Sequence, residues 1–236
     1  MRRLPMLTVA AAIATVHGCS AAGNLRQGLS NPSKMPGKGW SLPALEACPT
    51  GAKLAKIAGT VCAHCYATGG NYIYPSVAES LRQRFRLVKE AMASEGGRRK
   101  WVRSMAHLVR KQSPGVFRWH DSGDVFSVEY LRMIFAVCRA TPDTDHWLPT
   151  KELGMLYRAC VKQGLAIPRN LCIRVSAFKV GKQLQLPKWA TRRGITTSSV
   201  GVDDGPQCPA PQQNGECRDC RRCWHRSVSN TNYPQH

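Results

Sequence analysis

Acidic residues are scarce in this chain: 14 Asp and Glu stand against 34 Lys and Arg, a formal net charge of +20. A deficit of that size points to a polyanionic partner. Nucleic acid, DNA ahead of RNA, or a nucleotide-like substrate comes first. Long apolar runs are also missing. The run from Leu7 to Val16 is too short to span a membrane. Internal repeats and low-complexity tracts are absent, and a hydrophobic content of 43% excludes wholesale disorder. A length of 236 residues accommodates one large domain, or a barrel-like domain with an appendage.

Cysteine, by contrast, is plentiful: Cys19, Cys48, Cys62, Cys65, Cys138, Cys160, Cys172, Cys208, Cys217, Cys220 and Cys223. The count is odd, and secreted disulfide scaffolds are usually much shorter. Cys138, Cys160 and Cys172 fall in apolar stretches and read as small core residues. The others sit among Gly, Pro and charge, as ligands do. The pattern favours a reducing, cytoplasmic compartment and bound metal.

Residues 1–22 read as an N-terminal extension. Arg2 and Arg3, the following apolar run and Cys19 imitate a lipoprotein signal, although His17 is a poor residue just before a lipidation site. A floppy extension is therefore the favoured reading, with export the alternative. Residues 23–43 read as an irregular entry segment. Val77, Leu81, Phe85, Val88 and Met92 mark a helix capped by Ser76. A Gly96-Gly97 break precedes a second helix with Trp101, Met105 and Leu108 inward. Strands are then expected at Val116–His120, His146–Leu148, Leu171–Val175 and Ile195–Val200. Helices fall between them after Ser127 and over 152–162. This alternation predicts an α/β fold, a partial or full (β/α) barrel of parallel strands over 23–202. Residues 203–236 read as a cysteine-rich metal-binding tail.

Four constellations carry chemistry. Cys62-x-x-Cys65 can bind one metal centre, with Cys48 as a third ligand and His64 a loop residue. Three thiolates leave one iron of a four-iron cluster open. Cys208-x8-Cys217-x2-Cys220-x2-Cys223 suits a closed zinc site or an iron–sulfur cluster, and His225 could replace one cysteine. Trp119-His120-Asp121-Ser122-Gly123-Asp124 lies where a strand ends and a helix follows, the edge that holds active sites in parallel α/β folds. His120 could act as acid, base or donor there, and Asp121 or Asp124 as base or nucleophile. The plainer reading of that segment is a helix-capping turn. At the next strand end, Lys151 in Thr150-Lys151-Glu152 could bind a carboxylate or phosphate, or be a surface charge. Ser176 holds an equivalent position.

The run Asn31–Pro36, Cys62-Ala-His-Cys65-Tyr66-Ala67, His120–Asp124, Thr150-Lys151 and the final Cys-Pro-Ala…Cys-x-x-Cys-x-x-Cys together resemble the phage "gene product 88" family over roughly residues 24–226. That likeness implies a phage origin and a host-cell cytoplasmic setting more firmly than a reaction. The layout is more distantly similar to radical-SAM enzymes, which bind a 4Fe–4S cluster through three cysteines ahead of a barrel. That similarity implies a cluster at Cys48, Cys62 and Cys65. It also implies S-adenosylmethionine held at Ser122, Gly123, Asp124 and Ser176, with His120, Asp121, Asp124 and Lys151 lining the site. The spacing departs from that group: thirteen residues and then two, rather than three and then two.

Asp121-Ser-Gly also resembles the strand end of tRNA-guanine transglycosylases, which carry a late structural zinc. That likeness implies a carboxylate nucleophile among Asp121, Asp124, Asp203 and Asp204. Three expectations therefore stand: a radical-SAM-like enzyme modifying nucleic acid or a nucleotide precursor, a base-exchange enzyme, and a non-enzymatic zinc-stabilised nucleic-acid binder.

Overall fold

The computed structural model describes residues 7–18, 28–32 and 34–235. Arg2, Arg3 and Cys19, which carry the lipoprotein-like reading, lie outside those residues. Six strands form one sheet: β1 (Gly39–Trp40), β2 (Val116–Trp119), β3 (Asp145–Thr150), β4 (Leu171–Ser176), β5 (Thr196–Val200) and β6 (Asn230–Tyr233). Their spatial order is their chain order, and every neighbouring pair is parallel. The expectation of parallel strands in an α/β fold is met. Closure into a full barrel is not, since no pairing joins β1 to β6 among the described residues.

Parallel neighbours need long crossovers. Between β1 and β2 run α2 (Pro49–Leu54), α3 (Pro75–Met92) and α4 (Glu95–Gln112), with α1 (Val9–His17) ahead of them. The helix α5 (Val128–Ala140) joins β2 to β3. A short helix α6 (Leu153–Tyr157), running into a π-turn at Arg158–Lys162, joins β3 to β4, and α7 (Lys188–Thr191) joins β4 to β5. The last crossover, β5 to β6, is the cysteine-rich segment and contains only 3₁₀ turns. Right-handed crossovers between successive neighbours put the helices on one face of such a sheet.

The alternation of side chains along the strands separates the two faces. Phe117, Trp119, Leu148, Leu171, Ile173 and Val175 enter the main core with Trp101, Met105, Leu131 and Ile134 from α4 and α5. Arg118, Trp147 and Arg174 point the other way. There the cysteine-rich segment covers them: Trp147 packs with Cys223 and Trp224, and the Trp224 indole donates to the Phe117 carbonyl at 3.0 Å. The tail is therefore built into the sheet through β6 and through this cover, rather than appended.

The N-terminal segment also differs from expectation. Residues 9–17 form α1, capped by the Thr8 hydroxyl, and Ala12, Ile13 and Val16 are buried in the main core. Ala12, Ile13 and Val16 of the apolar run that imitates a signal form the inner stripe of this helix, at the one-turn spacing that faces a core.

Candidate functional site at the carboxyl edge of the sheet

The strands share one direction, so their C-terminal ends share one edge, and the loops leaving them meet there. At the exit of β2, His120 adopts φ 56°, a left-handed backbone few residues other than glycine accept. The turn sends its imidazole inward. Nε2 lies 3.0 Å from the Tyr130 hydroxyl, and burial, with Arg118 adding to it, holds the ring pKa down to about 3. His120 is thus a neutral core group, turned away from the loops.

Asp121 takes a different direction. Its carboxylate pairs with Arg118 at 2.6 Å and accepts from the Tyr72 hydroxyl, while its carbonyl accepts from Tyr66. Ser122 and Gly123 dock the loop onto the exit of β1. The Ser122 hydroxyl donates to the Leu42 carbonyl at 2.8 Å, and the Leu42 N–H returns a bond to Ser122. Gly123 sits at φ 78°, where an added Cβ would come within 2.6 Å of Leu42 Cβ, so only glycine permits this approach.

Asp124 is the centre of the edge. It is buried, and its carboxylate accepts from the Thr150 hydroxyl (2.6 Å), the Val125 N–H (2.6 Å) and the Lys151 N–H (2.8 Å). Burial lifts its pKa to about 7, those three donors pull it back, and nearby Glu152 pushes it further up. The Lys151 ammonium donates to the Ala177 carbonyl, just past β4, at 2.7 Å. Burial lowers the Lys151 pKa, while Cys62, Asp124, Cys65 and Cys48 all favour its charged form. Ser176 is half-buried at the end of β4, its hydroxyl 3.3 Å from that of Ser198.

The early cysteines arrive from the β1–β2 crossover. Cys48 is the residue before α2, Cys62 lies in a 3₁₀ turn (Val61–His64) capped by the Thr60 hydroxyl, and Cys65 ends that turn. Two of the thiols flank Gly51: a Cβ added there would stand 3.5 Å from Cys62 Sγ and 3.9 Å from Cys48 Sγ, and Cys65 lies within electrostatic reach of both. Burial pushes the Cys48 thiol up to about 12, with Asp124 and then the other two thiols adding to the rise, and burial likewise raises Cys62. The start of α2 is held from β3. Glu152 accepts from the Thr50 N–H (2.6 Å) and from its hydroxyl (2.9 Å). The structure thus brings Cys48, Cys62 and Cys65 to Asp124 and Lys151, and leaves His120 and Asp121 in other contacts.

The late cysteines lie on the sheet face opposite the helices. Cys208, Cys217 and Cys220 fall within electrostatic reach of one another, and burial raises the Cys208 and Cys217 thiols. The Cys223 sulfur lies 3.0 Å from the Tyr233 hydroxyl, and burial holds the thiol up at about 11. Asp203, Asp204 and His225 are exposed. Among the described residues, no three Cys, His, Asp or Glu side chains converge into a finished metal-ligand set.

Two arginines that sequence reasoning passed over organise this face. Burial opposes the charge on Arg118, but Asp121 and tyrosines 66, 233 and 72 outweigh it and raise its pKa. Arg118 also lies near Cys217 and Cys223, so it bridges the early loop and the late cysteines. Arg174 is fully buried and donates to backbone carbonyls of the tail. A lone arginine in an otherwise apolar strand is the signal that could have marked both positions, since it must find partners when buried.

No curated protein and no solved structure matches the chain. A family model described as "Gene product 88" matches residues 12–226.

Proposed function

The chain belongs to the gene product 88 family, and on that premise we propose that it is a metalloenzyme modifying nucleic acid or a nucleotide precursor. In this reading an iron–sulfur cluster is held by Cys48, Cys62 and Cys65, with S-adenosylmethionine as cofactor. One observation carries the reading: three thiols gather beside Asp124 and Lys151, at the carboxyl edge of a parallel sheet whose strands run in chain order. That order is the order of a barrel wall, and that edge is where parallel α/β folds place chemistry.

The residues suit the group in kind. Thiolates are the usual ligands of iron–sulfur clusters. The buried Cys48 and Cys62 thiols resist ionisation alone, and a bound cation favours the deprotonated form. The space kept open by the missing side chain at Gly51 lies between two of the sulfurs. Finished coordination requires the 48–65 segment to tighten around the metal. A bound cluster with S-adenosylmethionine supplies radical chemistry, which the protein positions. Lys151 would balance the negative charge of the thiolates and bind a carboxylate. Asp124, with a pKa near 7, can hold or release a proton at neutral pH. Ser176 stands at the neighbouring strand end, within the same edge.

The late cysteines suit a closed site, zinc or a second cluster, that fastens the tail to the sheet. The base-exchange reading gains less support. Asp121 is neutralised by Arg118, Asp124 is held by three donors, and Asp203 and Asp204 lie on an exposed loop. Metal analysis of anaerobically purified protein, followed by reconstitution with iron and sulfide, tests the proposal. The expected result is a broad visible absorbance that Cys62→Ala abolishes. A colourless protein holding zinc alone would overturn it.

A further inference from the structure

Four of the five large hydrophobic side chains most exposed on the described surface fall within one short stretch: Ile57, Tyr66, Ile73 and Tyr74, at 52%, 50%, 64% and 59% exposure. Single exposed apolar residues are ordinary, but a group of them marks an interaction surface. This stretch also carries Cys62 and Cys65. No acidic residue occurs between Glu46 and Glu79. Lys53 and Lys56 are exposed, and the antiparallel bridge from Thr60 to Lys179 brings a third exposed lysine alongside.

The surface is open. A side chain added at Gly59, Gly69 or Gly70 would meet nothing within 4 Å. The Tyr66 and Tyr72 rings lie edge to face at 5.9 Å, and Tyr74 precedes α3 without a side-chain capping bond. Exposed aromatic rings and lysines along one stretch, where the Asp121 carboxylate beside Tyr72 is already paired with Arg118, suit a ligand that alternates flat rings with phosphates. A duplex hides the faces of its rings in the stack and presents only base edges and backbone. We infer that the 53–74 segment, with Lys179, binds single-stranded nucleic acid and lays it across the entrance to the Cys62–Lys151 site. The inference rests on nucleic acid being the substrate of that site.

Fluorescence anisotropy with a labelled oligothymidylate, the matching oligouridylate and a duplex of equal length tests it. The single strands should bind more tightly than the duplex, and the preferred sugar identifies the strand as DNA or RNA. Tyr74→Ala should weaken binding about fivefold or more with an unchanged salt slope, because stacking carries no counterions. Tyr74→Phe should retain binding. The double change Lys56→Ala with Lys179→Ala should make the log–log salt slope shallower by about 1.4. Variants that bind as the parent does, or a duplex bound as tightly as the single strand, would overturn the inference. None of these changes touches a cysteine, so the visible absorbance of iron-loaded protein should survive in all of them. A colourless parent that still binds strands through Tyr74 would remove the cluster and leave this surface standing.

Discussion

The Arg174 side chain donates through Nε to the backbone carbonyl of Cys223 at 3.1 Å. Its remaining four donors reach the carbonyls of Thr197 (3.1 Å), Val228 (3.0 Å), Arg222 (2.6 Å) and His225 (2.9 Å). A guanidinium has five N–H donors, so every one is used, and the buried charge is compensated by carbonyl dipoles. Lysine has three donors and no fork. Arg174→Lys should therefore lower stability by about 3 kcal/mol or more, read as a drop in the urea midpoint. The Cys223 thiol, now buried, should react faster with an aromatic disulfide reagent. An unchanged midpoint would show that the tail is held by its other contacts.

Glu152 makes a second long-range tie, from the end of β3 to the start of α2. Glu152→Ala leaves the Thr50 N–H without its acceptor at 2.6 Å and should cost about 1–3 kcal/mol. Glu152→Gln keeps one acceptor oxygen and should cost less. Because α2 begins directly after Cys48, the alanine variant should also take up less iron on reconstitution than the glutamine variant. Thermal melting and iron content, measured together on both, check the pair.

Much of the architecture is legible in the sequence, and the gaps have a physical cause. The strands β2 to β5 announce themselves as short runs rich in β-branched and aromatic residues between turn signals. At only two residues, Gly39–Trp40 is too short for any pattern. In β6, Asn230 and Asn232 are buried, yet hydrophobic periodicity cannot register them, because Thr197, Ser199 and each other satisfy their amides. A similar blind spot hides the site. Strand-end logic brings attention to Asp124 and Lys151, and spacing to Cys48, Cys62 and Cys65. Nothing in the sequence says that the left-handed turn at His120 sends its ring into the core, or that Ser122 and Gly123 serve contact with Leu42.

His146 gives the fold an acid sensitivity away from the cysteines. Its Nδ1 accepts from the Trp119 indole at 3.2 Å, and Nε2 lies 2.8 Å from the Thr141 hydroxyl. Both nitrogens are thus used by the neutral ring, with the proton assigned to Nε2 from this network. Burial holds the pKa down to about 3. A depressed folded pKa contributes stability that is fully present above the unfolded value of about 6.5 and is lost as pH falls toward 3. Between pH 6.5 and 4.5 the parent should therefore lose stability, and His146→Gln should lose roughly 2 kcal/mol less over the same window. His120, held down in the same way, keeps part of the slope in the variant. Denaturant titrations at the two pH values decide it. Equal slopes in parent and variant would mean that the ring is already charged or exposed.

Gly51 offers the sharpest separation of folding from metal binding. It lies inside α2 with no positive φ, so alanine suits its backbone and should favour the helix by up to about 1 kcal/mol. The new methyl would nonetheless sit 3.0 Å from Cys48 Cβ and 3.5 Å from Cys62 Sγ. The first contact is tight enough to push Cys48 aside by a few tenths of an ångström, and the second fills the space between the two sulfurs. Gly51→Ala should therefore keep the parent melting temperature in the metal-free protein while losing most of the iron taken up on reconstitution. In the proposed reading, any zinc held by Cys208, Cys217, Cys220 and Cys223 should be unaffected, because those residues lie on the far cover of the sheet. Iron uptake equal to the parent's would place the metal away from Gly51 and remove Cys48 from its ligands.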